Sequence, residues 1–430
     1  MLLIWRLFLL GTAAVLLWLV ATDGMVRYHQ DRAKAGDDDA IDRVLALRPQ
    51  DPYALRERAR ATLPDDPDAA MALFAESYRR DPTNPDPLLV WAGLLLARGD
   101  TEKADALADL AHRLRPADVN VQRQLAIYWD QRGEPEAALA HQAAAMTSAP
   151  GAQLRSYYFP PLLKIAEDPG LRRYLEPLAE GHPNWWDGFF NVAARQAESV
   201  DTVRWLFALS RRNGDPSLLA PNRRAFVDRL IRDGRVSEAY LVWLNGLDDR
   251  ARRHLAPLFD GGFELPLSGE GFGWQTRDIR QRRADLLYTL GITGQQAVRI
   301  RFSAFEGPGV HLSQRLLLQP GRFRLTGQVR LDDLESKGGV RWQLLCPDRR
   351  PALLAATEPF MGSADWTAFA VELEVPADCE SQILRLVTAG EYDFERKLHG
   401  VIWFDDMRIA RVDEGADTAG AEPDTRGSDR

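Results

Sequence analysis

The sequence predicts a multidomain chain of three parts in series: an N-terminal transmembrane helix, an all-α solenoid of repeated helix pairs, and an all-β two-sheet sandwich of the jelly-roll type. Three observations predict it. Residues Leu2 to Ala21 are apolar apart from Arg6, prolines close short helical runs at a near-constant interval through the middle, and from Ala297 the hydrophobic period changes from 3.6 to two. A length of 430 residues exceeds what one core organises. With 45% hydrophobic and 27% charged residues, the composition is that of folded soluble domains. A net charge of -8 without a clustered basic surface argues against a nucleic-acid partner.

At about 1.5 Å per residue, the apolar run of residues 2–21 just spans a hydrocarbon layer of roughly 30 Å. The competing reading is a cleaved signal peptide with Arg6 as its n-region. Leu19 and Ala21 make a poor small-x-small site, and Thr22 and Gly24 a tolerable one. The expectation is an uncleaved anchor over residues 1–24. Arg27, Arg32 and Lys34 outnumber Arg6 and by themselves would hold the long side in the cytoplasm. The cysteines and the character of the C-terminal part argue for export and outweigh those charges. Residues 25–39, including "RAKAGDDDA", read as a linker, with Asp37 to Asp39 capping the first solenoid helix where negative charge meets the positive dipole end.

Over residues 40–256, Pro49, Pro82, Pro116, Pro150, Pro183 and Pro216 each close a helical run, at intervals of 33, 34, 34, 33 and 33 residues. A fixed period of this length marks stacked helix pairs, because each pair needs its neighbours to bury its apolar face. Trp91, Ala92 and Leu95 share one helix face, Gly99 turns the chain, and Ala104 and Ala111 permit close packing before Pro116. Leu125, Ala126, Trp129, Gly133, Ala138, Ala145 and Pro150 repeat these offsets. Small residues at the crossing let helix axes approach, where a bulky side chain would overpack.

These residues resemble the tetratricopeptide repeat, whose pattern is W-x-x-L-G, then Ala, then Ala and a closing Pro. The resemblance is strongest over Pro82 to Pro150, fades from Gly151 to Leu219, and returns where Gly234 and Ala239 restore the spacing. It implies a protein-binding solenoid. In the weak stretch, Trp185, Trp186, Phe189 and Phe190 are read in two ways: as core of a divergent repeat, or, for Trp185 and Trp186, as a surface for an extended partner.

Residues 257–412 carry the sheet pattern. Val298, Ile300 and Phe302 alternate with Arg299 and Arg301, and Phe323, Leu325, Val329 and Leu331 alternate with polar neighbours. Alternation of this kind buries one face of each strand. Further strands at "VRWQLLC", "WTAFAVELEV", "SQILRLVTA" and "GVIWFDDMRIARV", separated by Gly, Pro and Asp, give the two-sheet sandwich. The tail, residues 413–430, has almost no large apolar side chains and is expected to be disordered.

The opening "FDGGFE" and "GFGW", with "GVIWFDDMRI" at the far end, resemble the boundary strands of carbohydrate-binding modules of the calcium-supported jelly-roll type. Gly262, Phe263, Glu264, Trp274, Phe404, Asp405 and Asp406 carry the match, and Asp260 departs from it by replacing an Asn. The resemblance implies glycan binding and a structural calcium held by Glu264, Asp405 and Asp406, with no other cofactor; the alternative is that these carboxylates accept hydrogen bonds. Calcium wants six to eight oxygens, so the loop would have to help. Trp274, Tyr392 and Arg385 are the candidate glycan contacts, whereas Trp342 and Trp403 read as core. Outward arginines such as Arg301, Arg324 and Arg385 suit an acidic polysaccharide or simply keep a sheet face soluble. Cys346 and Cys379 end one strand and start another. A disulfide between them, worth about 3 to 4 kcal/mol, suits an oxidising compartment; the alternative is two buried thiols.

The seven histidines show no H-x-x-x-H or H-E-x-x-H spacing, and no GxSxG or phosphate-binding loop follows a strand. The chain is therefore expected not to be an enzyme. The combination looks like the tetratricopeptide proteins of bacterial exopolysaccharide systems. That resemblance implies a single-pass inner-membrane protein with its bulk in the periplasm, holding envelope protein partners through the solenoid and polysaccharide through the sandwich. The alternatives are a protein-only assembly scaffold and a polysaccharide hydrolase or lyase.

Overall fold

The computed structural model describes residues 2–412 apart from Asp38, 214–218, Ser268, 277–283, 306–308 and 348–350. The expected disordered tail lies outside the described residues. Packing divides the chain into two compact units, Met1–Val192 and Ala193–Arg430.

The first unit opens with α1 (Leu2–Lys34), 33 residues and therefore about 50 Å long. Trp5, Leu10, Leu17, Trp18 and Val20 stand exposed around its N-terminal half. The helix does not end at the expected linker. It runs through to Lys34 because nothing breaks it before Gly36, which takes a φ of 92°. Val26 packs with Val44 and Ala54, so the same helix forms part of the first solenoid layer. Asp37 pairs with Arg32 and Arg43, and Asp39 sits at the helix start without a side-chain cap; Asp38 lies outside the described residues. Asp37 and Asp39 thus serve less as caps than as ion-pair partners of Arg32 and Arg43.

Helix pairs then follow: α2 (Ala40–Leu47), α3 (Pro52–Thr62) with α4 (Pro67–Arg80), α5 (Asp86–Ala97) with α6 (Thr101–Leu114), and α7 (Val119–Gln131) with α8 (Pro135–Ser148). Pro49, Pro82, Pro116 and Pro150 each lie within two residues of a helix end, as the period requires. Gly99 and Gly133 turn between paired helices at φ of 82° and 83°, a left-handed conformation that side chains resist. Asp51, Asp66, Asp100 and Asp118 accept hydrogen bonds from first-turn amides of the helices they precede. Ala92, Ala104, Ala108 and Ala111 are fully buried where α5 and α6 meet. From Gly151 the pattern loosens into α9 (Gly151–Gln153), a π turn at Leu154–Tyr158 and α10 (Phe159–Glu167), before α11 (Trp186–Gln196) resumes the order.

The second unit holds α12 (Val200–Asn213), α13 (Ala220–Arg232), α14 (Val236–Asn245), the short α15 (Asp249–Arg252) and an antiparallel two-sheet β-sandwich. Its strands are β1 (Ala284–Thr289), β2 (Ala297–Phe305), β3 (Val310–Leu316), β4 (Gly321–Glu335), β5 (Val340–Cys346), β6 (Ala352–Ala356), β7 (Gly362–Val375), β8 (Gln382–Thr388) and β9 (Leu398–Arg411). The five-stranded sheet has the order β1-β2-β9-β4-β7, and the four-stranded sheet β3-β8-β5-β6. Val298, Ile300, Phe302, Trp342, Leu384 and Phe404 meet between them in one core. Tyr240 and Trp243 of α14 pack against Phe259 and Phe272 with ring centroids 5.0 to 5.6 Å apart, so the last helical hairpin and the sandwich share an aromatic contact.

Candidate functional site

The glycine-rich entry to the sandwich is a knot of turns. Asp260 and Phe263 take φ of 49° and 55°, and the Asp260 carboxylate accepts the amides of Glu264 and Leu265 at 2.9 and 3.0 Å. Trp274 Nε1 donates to the Asp260 carbonyl at 2.9 Å, and its ring stacks on Phe263. Gly261 lies against β9: the Met407 amide donates to its carbonyl at 2.9 Å, and a Cβ on it would sit 1.9 Å from the Met407 carbonyl oxygen. Burial pushes the Asp260 carboxyl up to about 6, against the opposing pull of its two amide donors and of His254.

Glu264 and Asp405, read from opposite ends of the module, do converge on one feature, the loop between β1 and β2. Glu264 Oε1 accepts the amides of Gln295 and Gln296 at 2.7 and 3.0 Å. Asp405 Oδ2 accepts those of Ile292 and Thr293 at 2.8 and 3.0 Å, and its Oδ1 accepts from Asp406 N at 2.6 Å. These amides point at the oxygens a calcium ion would need, and Asp406 instead pairs with Arg408 at 2.7 Å. Among the described residues no group of three or more His, Cys, Asp or Glu is placed to hold a metal. The donor set therefore does not fit calcium as arranged: the carboxylates serve as anchors for a peptide loop. Burial raises the Asp405 carboxyl, while its amide donors oppose that rise.

The outer face of the four-stranded sheet forms the polar site of this unit. Asp228, Ile231 and Arg232 of α13 line a cleft of about 470 Å³ with Ser313, Arg315, Ile383 and Arg385 of the sheet. Arg385 stands opposite Ser313 on β3 and Gln343 on β5, and its guanidinium donates to Gln343 Oε1 at 2.9 and 3.2 Å. Burial lowers its pKa, and no acid opposes the shift. Arg315 donates to the Ser381 hydroxyl at 2.8 Å. Such a set of fork-shaped and amide donors can meet hydroxyl or carboxylate oxygens of a polar ligand.

Arg385 stands part-exposed on the outer face of the four-stranded sheet. Tyr392 also stands exposed, stacked on exposed Phe394 with centroids 5.8 Å apart, and Lys337 lies over the Phe394 ring at 5.2 Å. Trp274 does not: it is 2% exposed, locked between Phe263 and Trp342, and no face is left for a sugar. Trp185 and Trp186 are likewise buried, at 2% and 0%, so they fill the core of the divergent repeat rather than a partner surface. Trp403 is corrected in the other direction. The β9 bulge at Asp405 and Asp406 shifts the alternation, so that Ile402, Phe404 and Met407 face the core and Trp403 lies half-exposed under the Arg330 guanidinium. Cys346 and Cys379 form a disulfide, with Cα atoms 5.8 Å apart. Sequence reasoning missed Arg315, Arg341, Gln343 and Asp228; the overlooked signal is that "VHLSQRL", "VRWQLLC" and "QILRLVT" contain arginines and no acid.

The first unit has its own cavity, about 530 Å³, in which Ile127, Tyr157 and Leu171 stand exposed beside Arg123, Asp130 and Tyr174. This groove is mainly apolar with a charged fringe.

A tetratricopeptide-repeat family profile matches residues 61–126. No curated relative matches the chain by sequence. Among solved structures, a family 4 carbohydrate-binding module is similar at 15% identity over 36% of this chain and 99% of its own, with a TM-score of 0.27. The module TmCBM61, solved with β-1,4-galactotriose, is similar at 17% identity over 37% of this chain and 99% of its own, with a TM-score of 0.26. The protein MamA is similar at 14% identity over 30% of this chain and 77% of its own, with a TM-score of 0.25.

Proposed function

We propose that the chain is a non-catalytic adaptor of the bacterial inner membrane, with α1 as its anchor and its bulk in the periplasm. The solenoid holds an envelope protein partner, the sandwich holds glycan, and the pair acts in exopolysaccharide assembly or export. The observation that carries the reading is the cleft on the outer face of the four-stranded sheet, where hydrogen-bonding side chains line a ligand-sized hollow. The repeat profile over residues 61–126 and the apolar groove of the first unit support a protein partner. The Cys346–Cys379 disulfide supports an oxidising compartment, and the length and apolar surface of α1 support anchoring.

The test is titration of the full chain, in non-ionic detergent micelles, against a panel of neutral and acidic polysaccharides. Saturable binding without depolymerisation is the expected result. No binding to any polymer leaves the protein-only scaffold, and shortened polymer in the reaction leaves the hydrolase or lyase.

A further inference from the structure

Three separate segments of the second unit meet at the loop between β1 and β2: the entry turn carrying Glu264, the loop itself, and the β9 bulge carrying Asp405. The loop, residues 290–296, reads "LGITGQQ", and its two halves repeat one arrangement, a glycine followed by two amides turned onto a carboxylate. After Gly291, the amides of Ile292 and Thr293 donate to Asp405 Oδ2 at 2.8 and 3.0 Å. After Gly294, those of Gln295 and Gln296 donate to Glu264 Oε1 at 2.7 and 3.0 Å. Successive N–H groups converging on one oxygen form a nest, a concavity of partial positive charge that holds an anion.

The approach requires both glycines. A Cβ on Gly291 would sit 2.7 Å from Asp405 Oδ2 and press on the Gln296 carbonyl. A Cβ on Gly294 would overlap Glu264 Oε1, at a φ of 64° that side chains resist, and Glu264 makes room only by leaving its amides. With the Asp406 amide on Asp405 Oδ1 at 2.6 Å, three of the four oxygens of these two carboxylates accept an amide. Asp406, at a φ of 50° in the bulge, turns its own carboxylate to Arg408. Calcium takes six to eight oxygens and repels the positive end of an N–H, so an ion entering here must first drive the loop away.

We infer that the β1–β2 loop stands in for a structural cation: two glycine-opened amide nests fasten Glu264 and Asp405, and the sandwich keeps its entry turn against β9 without calcium. The partial charges of the peptide groups do what a bound ion would do, neutralising two acids brought from opposite ends of the module. This clasp belongs to the fold whatever ligand the sandwich holds.

The experiment follows hydrogen exchange of peptides covering residues 288–298 and 400–409 of the full chain in non-ionic micelles, once with calcium chloride and once with EGTA. Equal protection in the two media is the expected result. Gly294→Ala and Glu264→Ala should each speed exchange of the loop peptide by about tenfold or more, because its amides lose their acceptor. Calcium should not restore that protection, and a peptide covering β5 should keep its own. Should Gly294→Ala unfold the sandwich, Glu264→Ala and the comparison of media on the unaltered chain carry the test. Faster exchange in EGTA, a change in loop protection when calcium is added, or wild-type exchange in both variants overturns the inference.

Discussion

The ion pair that ties α13 to the sandwich entry is the contact whose loss has the most calculable effect. Arg223 meets Glu270 through two bonds, Nε to Oε1 at 2.5 Å and Nη2 to Oε2 at 2.9 Å, and its third nitrogen donates to the Gly246 carbonyl at 2.8 Å. The side chains are only 19% and 9% exposed. Removing one partner of a buried pair typically costs about 3 to 5 kcal/mol, because the other charge is left without compensation. Glu270→Gln keeps the shape and one acceptor, so about 2 to 3 kcal/mol is expected, at or just below the lower end of that range. Arg223→Met also releases the Gly246 carbonyl, and about 3 to 4 kcal/mol is expected. The double variant leaves no orphan charge and should fall short of the sum by roughly 1 to 3 kcal/mol. Because the chain has two units, the quantity to read is local opening rather than one global midpoint. Hydrogen exchange of peptides covering residues 220–246 and 258–275 supplies it: both sets should lose protection together. Strict additivity of the two substitutions, or loss of protection in the helical peptides alone, would refute the clamp.

Three further outcomes follow from the same geometry. Gly261→Ala places a Cβ against the Met407 carbonyl and should cost several kcal/mol, on the order of 3 or more; a variant with wild-type thermal stability would contradict the fit. Asp260 holds a proton in the folded state up to about pH 6 but releases it near the ordinary value of 3.8 when unfolded, so stability should fall as pH rises from about 4 to 6. Asp260→Asn should flatten that slope, seen as the difference in unfolding free energy between pH 4.5 and 6.5, and an unchanged slope would place the titration elsewhere. Replacing both Cys346 and Cys379 by Ser should lower stability by about 3 to 4 kcal/mol, and reduction of the wild-type chain should reproduce the loss without affecting the double variant.

The parts of the fold with a strict period were legible in the sequence. Pro82, Pro116 and Pro150 marked helix ends, and Val298, Ile300 and Phe302 marked a buried strand face, because burial alone imposes those spacings. β3 escaped notice for a physical reason: His311 and Gln314 are buried polar residues, satisfied by Thr388 and by the Phe259 backbone, and they interrupt the apolar alternation. β9 was found, but its bulge inverts the phase around Trp403, which strict alternation cannot register. At the site, Glu264 and Asp405 both hold the loop between β1 and β2, and the sequence does not show that backbone amides occupy their oxygens. Arg385 was legible as an outward residue; that its sheet lacks any acid needs the strand order, which brings β3, β8 and β5 side by side.

The most direct test of the account is a structure of the full chain with a bound oligosaccharide drawn from the neutral and acidic polymers that it binds. A sugar within hydrogen-bond reach of Arg385, in the cleft on the outer face of the four-stranded sheet, is the predicted result. An oligomer resting on Tyr392 and Phe394, with the cleft at Arg385 left untouched, would contradict it.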